Sequence, residues 1–107
     1  MYRYVVITDR ETAPGFRLAG LEVQEVADRE AAEALRRTLE DREVGLVALN
    51  ERFLPLLPEE LRRRVEAGRP PVVVPFPDLR RAAPRRGEEY LAQLIQRAIG
   101  YRIRLRP

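Results

Sequence analysis

Cysteine, histidine, tryptophan, lysine and serine are all absent from the 107 residues. Without cysteine there is neither a disulfide nor a thiolate nucleophile, and without cysteine or histidine the common zinc and iron ligand sets are missing. Serine and lysine, the other usual covalent nucleophiles, are missing too. Carboxylates and tyrosine alone remain for acid–base work, so the composition argues against an enzyme. No catalytic residue, cofactor-binding residue or metal ligand is assigned. No apolar run approaches the ~18 residues a membrane-spanning helix needs. The opening Met-Tyr-Arg-Tyr-Val-Val lacks the long apolar stretch of a signal peptide, and the expected location is the cytoplasm.

A hydrophobic content of 45% over 107 residues suits one domain with a real core. All 20 basic residues are arginine, and nine prolines accompany a single asparagine, a balance produced either by adaptation to heat or by a strong genomic bias. Arginine holds its charge at any working pH and forms bidentate pairs with carboxylates. The charge is uneven. Residues 1–68 carry 11 Arg against 14 acids, net −3, whereas residues 69–107 carry 9 Arg against 3 acids, net +6.

The chain alternates strand and helix signals. Tyr4 to Thr8 is a short β-branched and aromatic run, apolar enough for a central parallel strand. Asp9 or Thr12 can cap the helix that comes next, Pro14 suits its first turn, and Gly20 suits its left-handed end. Ala13, Phe16, Leu18 and Ala19 are expected to cover the sheet, with Arg17 outward. Leu21 to Val26 alternates as an edge strand does. Asp28 is expected to cap a helix reaching about Asp41, with Ala31, Ala32, Leu35 and Leu39 buried and a Glu33–Arg37 pair outside. Gly45 to Leu49 reads as a second interior strand. Pro55 and Pro58 divide the next segment into a short turn and a helix from Pro58 to Ala67, closed by Gly68. Val72 to Phe76 is the last apolar run, and Pro75 puts it at a sheet edge. With right-handed crossovers these elements give a four-stranded parallel sheet of order 2-1-3-4, helices on both faces, of Rossmann-like or receiver-like α/β class. Residues 1–77 form the sheet core. Residues 78–107 add a basic loop, an amphipathic helix with Leu91, Leu94, Ile95, Ala98 and Ile99 on one stripe, and an alternating tail, within one domain overall.

Three motifs invite a ligand. Gly15 and Gly20 suggest a phosphate loop, but there is no Gly-x-Gly-x-x-Gly and no Gly-Lys-Ser/Thr, so they read better as turn and cap residues. Asp9 and Asn50-Glu51 stand at strand ends, as the acidic residues of receiver domains do. Asn50 in place of the accepting aspartate, and the absence of lysine, argue against phosphotransfer. Asp9 and Glu51 read as capping groups or arginine partners. Arg62-Arg63-Arg64 and the group Arg80, Arg81, Arg85 and Arg86 suggest nucleic acid, yet they come from different elements without interleaved aromatics, so no nucleic-acid partner is expected.

Thr12-Ala13-Pro14-Gly15-Phe16-Arg17-Leu18-Ala19-Gly20-Leu21 resembles the Thr-x-x-Gly-Phe-Arg-Leu-Ala-Gly signature of the F subunit of V/A-type rotary ATPases. Ile99-Gly100-Tyr101-Arg102-Ile103 resembles that family's Ile-Gly-aromatic-x-Ile ending. The resemblance implies a non-catalytic central-stalk subunit that binds the coiled-coil D subunit of the shaft. Contacts with the catalytic-ring subunits and the rotor socket subunit are possible on the same reading. Such a subunit helps couple ATP synthesis or hydrolysis to ion transport. It would be cytoplasmic and peripheral to the membrane, without direct insertion. The surface assigned to the partner comprises Arg85, Arg86, Tyr90, Leu91, Leu94, Ile95, Ala98, Ile99, Tyr101 and Ile103. The alternative from a different class is a stand-alone receiver-like signalling or small-ligand module.

Overall fold

Four parallel strands, β1 (Arg3–Thr8), β2 (Glu22–Glu25), β3 (Val44–Asn50) and β4 (Val72–Phe76), lie side by side in the order β2-β1-β3-β4. The computed structural model describes residues 2–78. Three helices, α1 (Ala13–Leu18), α2 (Ala31–Glu40) and α3 (Glu59–Glu66), connect the strands, and 3₁₀ turns occupy Asp28–Glu30 and Glu51–Leu56. The order is the expected one. Its two edges are the strands least suited to an interior: β2 carries glutamate at both ends, and β4 contains Pro75, which has no N–H for a neighbour.

Alternation along the strands divides the core in two. On one face Val5, Ile7, Val47, Leu49 and Val73 meet Ala31 and Leu35 of α2, Phe53 and Leu57 of the intervening turn, and Leu61 and Val65 of α3. On the other, Val6, Ala48 and Phe76 meet Phe16 of α1, with the Phe16 and Phe76 rings edge-to-face at 5.1 Å between centroids. Helices thus lie on both faces. Gly20 and Gly68, at φ +86° and +70°, stand just beyond α1 and α3.

Several local expectations are corrected. Leu18 is 90% exposed and Ala19 is also outside, whereas Ala13 and Phe16 are buried. Two residues past Phe16 is about 200° around a helix, so Leu18 must point away from the sheet that Phe16 faces. In α2 the buried set is Ala31, Ala34, Leu35 and Thr38, while Ala32 and Leu39 are half-buried. Asp28 does not cap this helix: the Glu30 carboxylate accepts from the Ala27 amide at 3.0 Å, and Asp28 is drawn off to Arg52. Glu33 pairs with Arg36 at 2.9 Å rather than with Arg37, because Arg36 also reaches Glu60 of α3 at 2.7 Å and so lies between two carboxylates. Pro58 precedes α3 as its N-cap instead of beginning it. Gly15 lies inside α1 without positive φ, so it is not a turn residue. The amphipathic helix expected near the carboxyl end, with the loop and tail around it, lies outside the described residues.

Candidate functional site

In open parallel sheets, ligands gather at the carboxyl ends of the strands, where neighbouring connections diverge. Here that point lies between β1 and β3. Thr8 and Asn50 end those strands, both fully buried, and Asp9 comes next at 6% exposure. The Asn50 amide donates to Thr8 Oγ1 at 3.1 Å and to Asp9 Oδ1 at 3.2 Å, while the Thr8 hydroxyl donates to Asp9 Oδ1 at 3.1 Å. Asp9 Oδ2 accepts from the amides of Glu11 and Thr12, and Asn50 Oδ1 accepts from the Arg52 amide. Three polar side chains are buried because each has another to bond.

Burial by itself opposes ionisation of Asp9. It is outweighed by the Thr12 and Thr8 side chains and by backbone amides, which hold the carboxyl below its ordinary range. The Thr12 hydroxyl has no partner of good hydrogen-bond geometry, so it favours the carboxylate as a nearby dipole. The consequence for ligands is direct. The amides of Glu11 and Thr12, in the turn that leads into α1, are already occupied by the chain's own carboxylate, and the first amide of α1, that of Ala13, by the Asp9 carbonyl, so neither is open to a phosphate.

Beside this network lies a crevice of about 430 Å³ lined by Asp9, Glu11, Glu25, Asp28 and Glu30, with Arg10 and Arg52. Five carboxylates against two guanidinium groups make it repel phosphate. Among the described residues no group of three or more histidine, cysteine, aspartate or glutamate side chains is arranged to hold a metal ion. Arg52 donates to Asp28 Oδ2 at 2.9 Å, and its guanidinium carbon stands 5.9 Å from the centre of the Phe53 ring. Asp28, through that hydrogen bond and its charge, and more weakly Asp78 and Asp9 raise the Arg52 pKa against the opposing effect of burial.

Asp9 holds the turn that leads into α1, through the amides of Glu11 and Thr12, whereas the N-cap position itself is Thr12, whose side chain makes no capping hydrogen bond. Glu51 accepts from the Asp78 amide at 3.4 Å. Arg62, Arg63 and Arg64 do not form one basic patch, since they bond respectively to the Leu57 carbonyl, to Glu59 and to the carbonyls of residues 69–71. From the sequence Thr8 was marked only as the start of the loop Thr8 to Gly15 after the first strand, and Arg52 was not singled out at all. A threonine closing an apolar strand opposite the chain's single asparagine was the available signal for the first; nothing local marked Arg52. The assigned partner residues Arg85, Arg86, Tyr90, Leu91, Leu94, Ile95, Ala98, Ile99, Tyr101 and Ile103 lie outside the described residues.

A sequence profile of the family described as ATP synthase (F/14-kDa) subunit matches residues 5–95. The chain belongs to that family. The V-type ATP synthase F subunit of Thermus thermophilus is 42% identical over 103 residues, which is 94% of this chain and 98% of the relative. The A-type ATP synthase F subunit of Methanosarcina mazei is 35% identical over 97 residues, covering 89% of this chain and 91% of the relative. A crystal structure of the V-type ATP synthase F subunit from Archaeoglobus fulgidus agrees with a TM-score of 0.65 at 31% identity, over 70% of this chain and 96% of that one. In this member of the ATP synthase F/14-kDa subunit family, the Gly-Phe-Arg-Leu-Ala-Gly segment builds and ends α1. Phe16 enters the core, Gly20 supplies the positive φ, and Arg17 is tied to Glu25 at 2.8 Å. The family match continues through Arg85, Arg86, Tyr90, Leu91, Leu94 and Ile95. No helix among the described residues is long and apolar enough to cross a membrane.

Proposed function

We propose that the chain is a non-catalytic rotor subunit of a V/A-type ATP synthase or ATPase, bound to the coiled-coil D subunit that forms the shaft. On this reading it turns with the shaft inside the catalytic ring, peripheral to the membrane on the cytoplasmic side, and helps couple ATP turnover to ion transport. Catalysis belongs to other subunits. Family membership supports the place in the complex. The observation that carries the non-catalytic role is the occupied carboxyl end of β1: Asp9 takes the amides of Glu11 and Thr12, and an acidic crevice stands beside it where a nucleotide site would need donors and positive charge.

The docking surface is assigned to residues 85–103, where arginines flank the stripe of Leu91, Leu94, Ile95, Ala98 and Ile99. A buried leucine or isoleucine contributes about 1.5–3 kcal/mol, so a few such side chains can supply the affinity, while the arginines steer and orient an acidic partner. The test is titration of two shortened chains against purified shaft protein, with circular dichroism as the check of folding. Removing residues 101–107 should leave a folded protein, and removing residues 88–107 should abolish binding without unfolding the sheet. Full-strength binding by the shorter chain would overturn the assignment of the surface.

A further inference from the structure

Two arginines along α2 have no partner within the described fold. Arg29, in the 3₁₀ turn before the helix, and Arg37, near its end, are exposed, and neither makes a hydrogen bond or an ion pair among the described residues. Arg37 is left over because Glu33 pairs with Arg36. Both arginines border a groove of about 450 Å³ between β2 and α2. The acids beside them are already engaged: Glu25 with Arg17 at 2.8 Å, Glu33 with Arg36 at 2.9 Å, and Glu30 with the Ala27 amide at 3.0 Å. Gln24 Nε2 donates to Thr38 Oγ1 at 3.0 Å, which ties the strand to the helix.

The strand side of this groove is an open sheet edge, since β2 pairs with β1 alone. In a parallel strand the N–H and C=O of one residue point to the same side, and those of the next residue to the other. The Val26 amide donates to the Thr8 carbonyl of β1, so Val23 and Glu25 turn their backbone groups away from β1. An extended chain laid along this edge would satisfy them. The two guanidinium groups decide what that chain carries. Arg29 and Arg37 are eight residues apart, about 12 Å along a helix, and side chains four residues apart on one face of a strand stand about 13 Å apart. No aromatic side chain lines the groove for a base to stack on, and its three glutamates oppose a continuous row of phosphates. We propose that the β2 edge and the groove beside it receive an extended acidic segment of another protein, paired to Val23 and Glu25 through its backbone and to Arg29 and Arg37 through carboxylates four residues apart. The surface uses none of residues 79–107 and is the same whether or not the shaft protein is the partner.

The probe is the peptide acetyl-Thr-Glu-Val-Thr-Val-Glu-Thr-amide, whose glutamates are four residues apart, titrated into the full ¹⁵N-labelled chain and followed by nuclear magnetic resonance. The amide signals of Val23 and Glu25 should shift together with those of Arg29 and Arg37. Arg29→Gln and Arg37→Gln should each weaken binding about threefold, and the double variant about tenfold. A peptide with glutamine in place of both glutamates should lose as much, and one with its two glutamates adjacent should bind more weakly than the probe. Because neither arginine has a partner within the described fold, both variants should melt with the native chain, which separates lost binding from lost folding. No binding at millimolar peptide, shifts confined to residues 79–107, or unchanged affinity in the double variant would overturn the proposal. So would tighter binding at the same residues by a thymidine trinucleotide, which carries the same charge as the probe.

Discussion

The Asp9 carboxylate ties β1 to β3 and to the turn before α1, because it accepts from Thr8, Asn50 and two amides at once. Its pKa is lowered in the folded state. The stability it contributes is therefore complete above its unfolded value of about 4 and is lost as pH falls through the folded value. Asp9→Asn should lower the free energy of unfolding at neutral pH by about 1–3 kcal/mol and flatten the loss of stability below about pH 4, both readable by urea titration. The two glycines of the α1 segment should behave oppositely. At Gly20 the backbone is left-handed, so Gly20→Ala should cost about 1 kcal/mol or more. A Cβ on Gly15 meets nothing within 4 Å and φ is not positive, so Gly15→Ala should stabilise the isolated chain by about 0.5–1 kcal/mol. Thermal melts of the two variants shifting in the same direction would contradict this. Gly20 as the terminator of a helix was legible in the sequence. That Gly15 has no packing reason to be glycine was not, because the space around a missing Cβ is set by neighbours remote in sequence.

At the scale of elements, the links between one element and the next depend on arginine in two ways of unequal strength. Arg64 of α3 donates to the carbonyls of Arg69, Pro70 and Pro71 at 2.9, 3.0 and 3.3 Å, closing the entry into β4. Burial lowers its pKa, and nearby Arg69 lowers it further. Arg64→Ala should leave three carbonyls short of donors and cost about 1 kcal/mol, and Arg64→Lys should recover only part, since a point charge cannot reproduce the fork. The exposed Arg36–Glu60 pair between α2 and α3 is weaker by the same reasoning. Glu60→Ala should change stability by less than about 0.5 kcal/mol, an effect that added salt reduces further. Element type and order were readable because strand and helix carry different apolar periods, and prolines and glycines punctuate them. The rotation of α2 by one position was harder to read. Ala31, Ala32, Ala34 and Leu35 offer two adjacent stripes, and the sheet selects between them.

For the whole molecule, the proposed role requires that the isolated chain does not hydrolyse ATP. Turnover that disappears on changing Asp9 or Glu51 to alanine would contradict it, whereas turnover unaffected by either change would point to a contaminating enzyme. By itself the sequence determined the absence of the usual nucleophiles, the four-stranded parallel order with β2 and β4 outside, the family signature in residues 12–21, and the confinement of net positive charge to residues 69–107. All of these are properties of composition, of local period or of short motifs, which need no knowledge of distant neighbours. Only the tertiary structure decided that Thr8, Asp9 and Asn50 form one network across 42 residues of chain, that Asp28 serves Arg52 instead of a helix end, and that Asp78 is buried. The physical reason is common to all three. A polar side chain leaves water only where a complementary group is already in place, and parallel crossovers bring that group from a strand or turn tens of residues away.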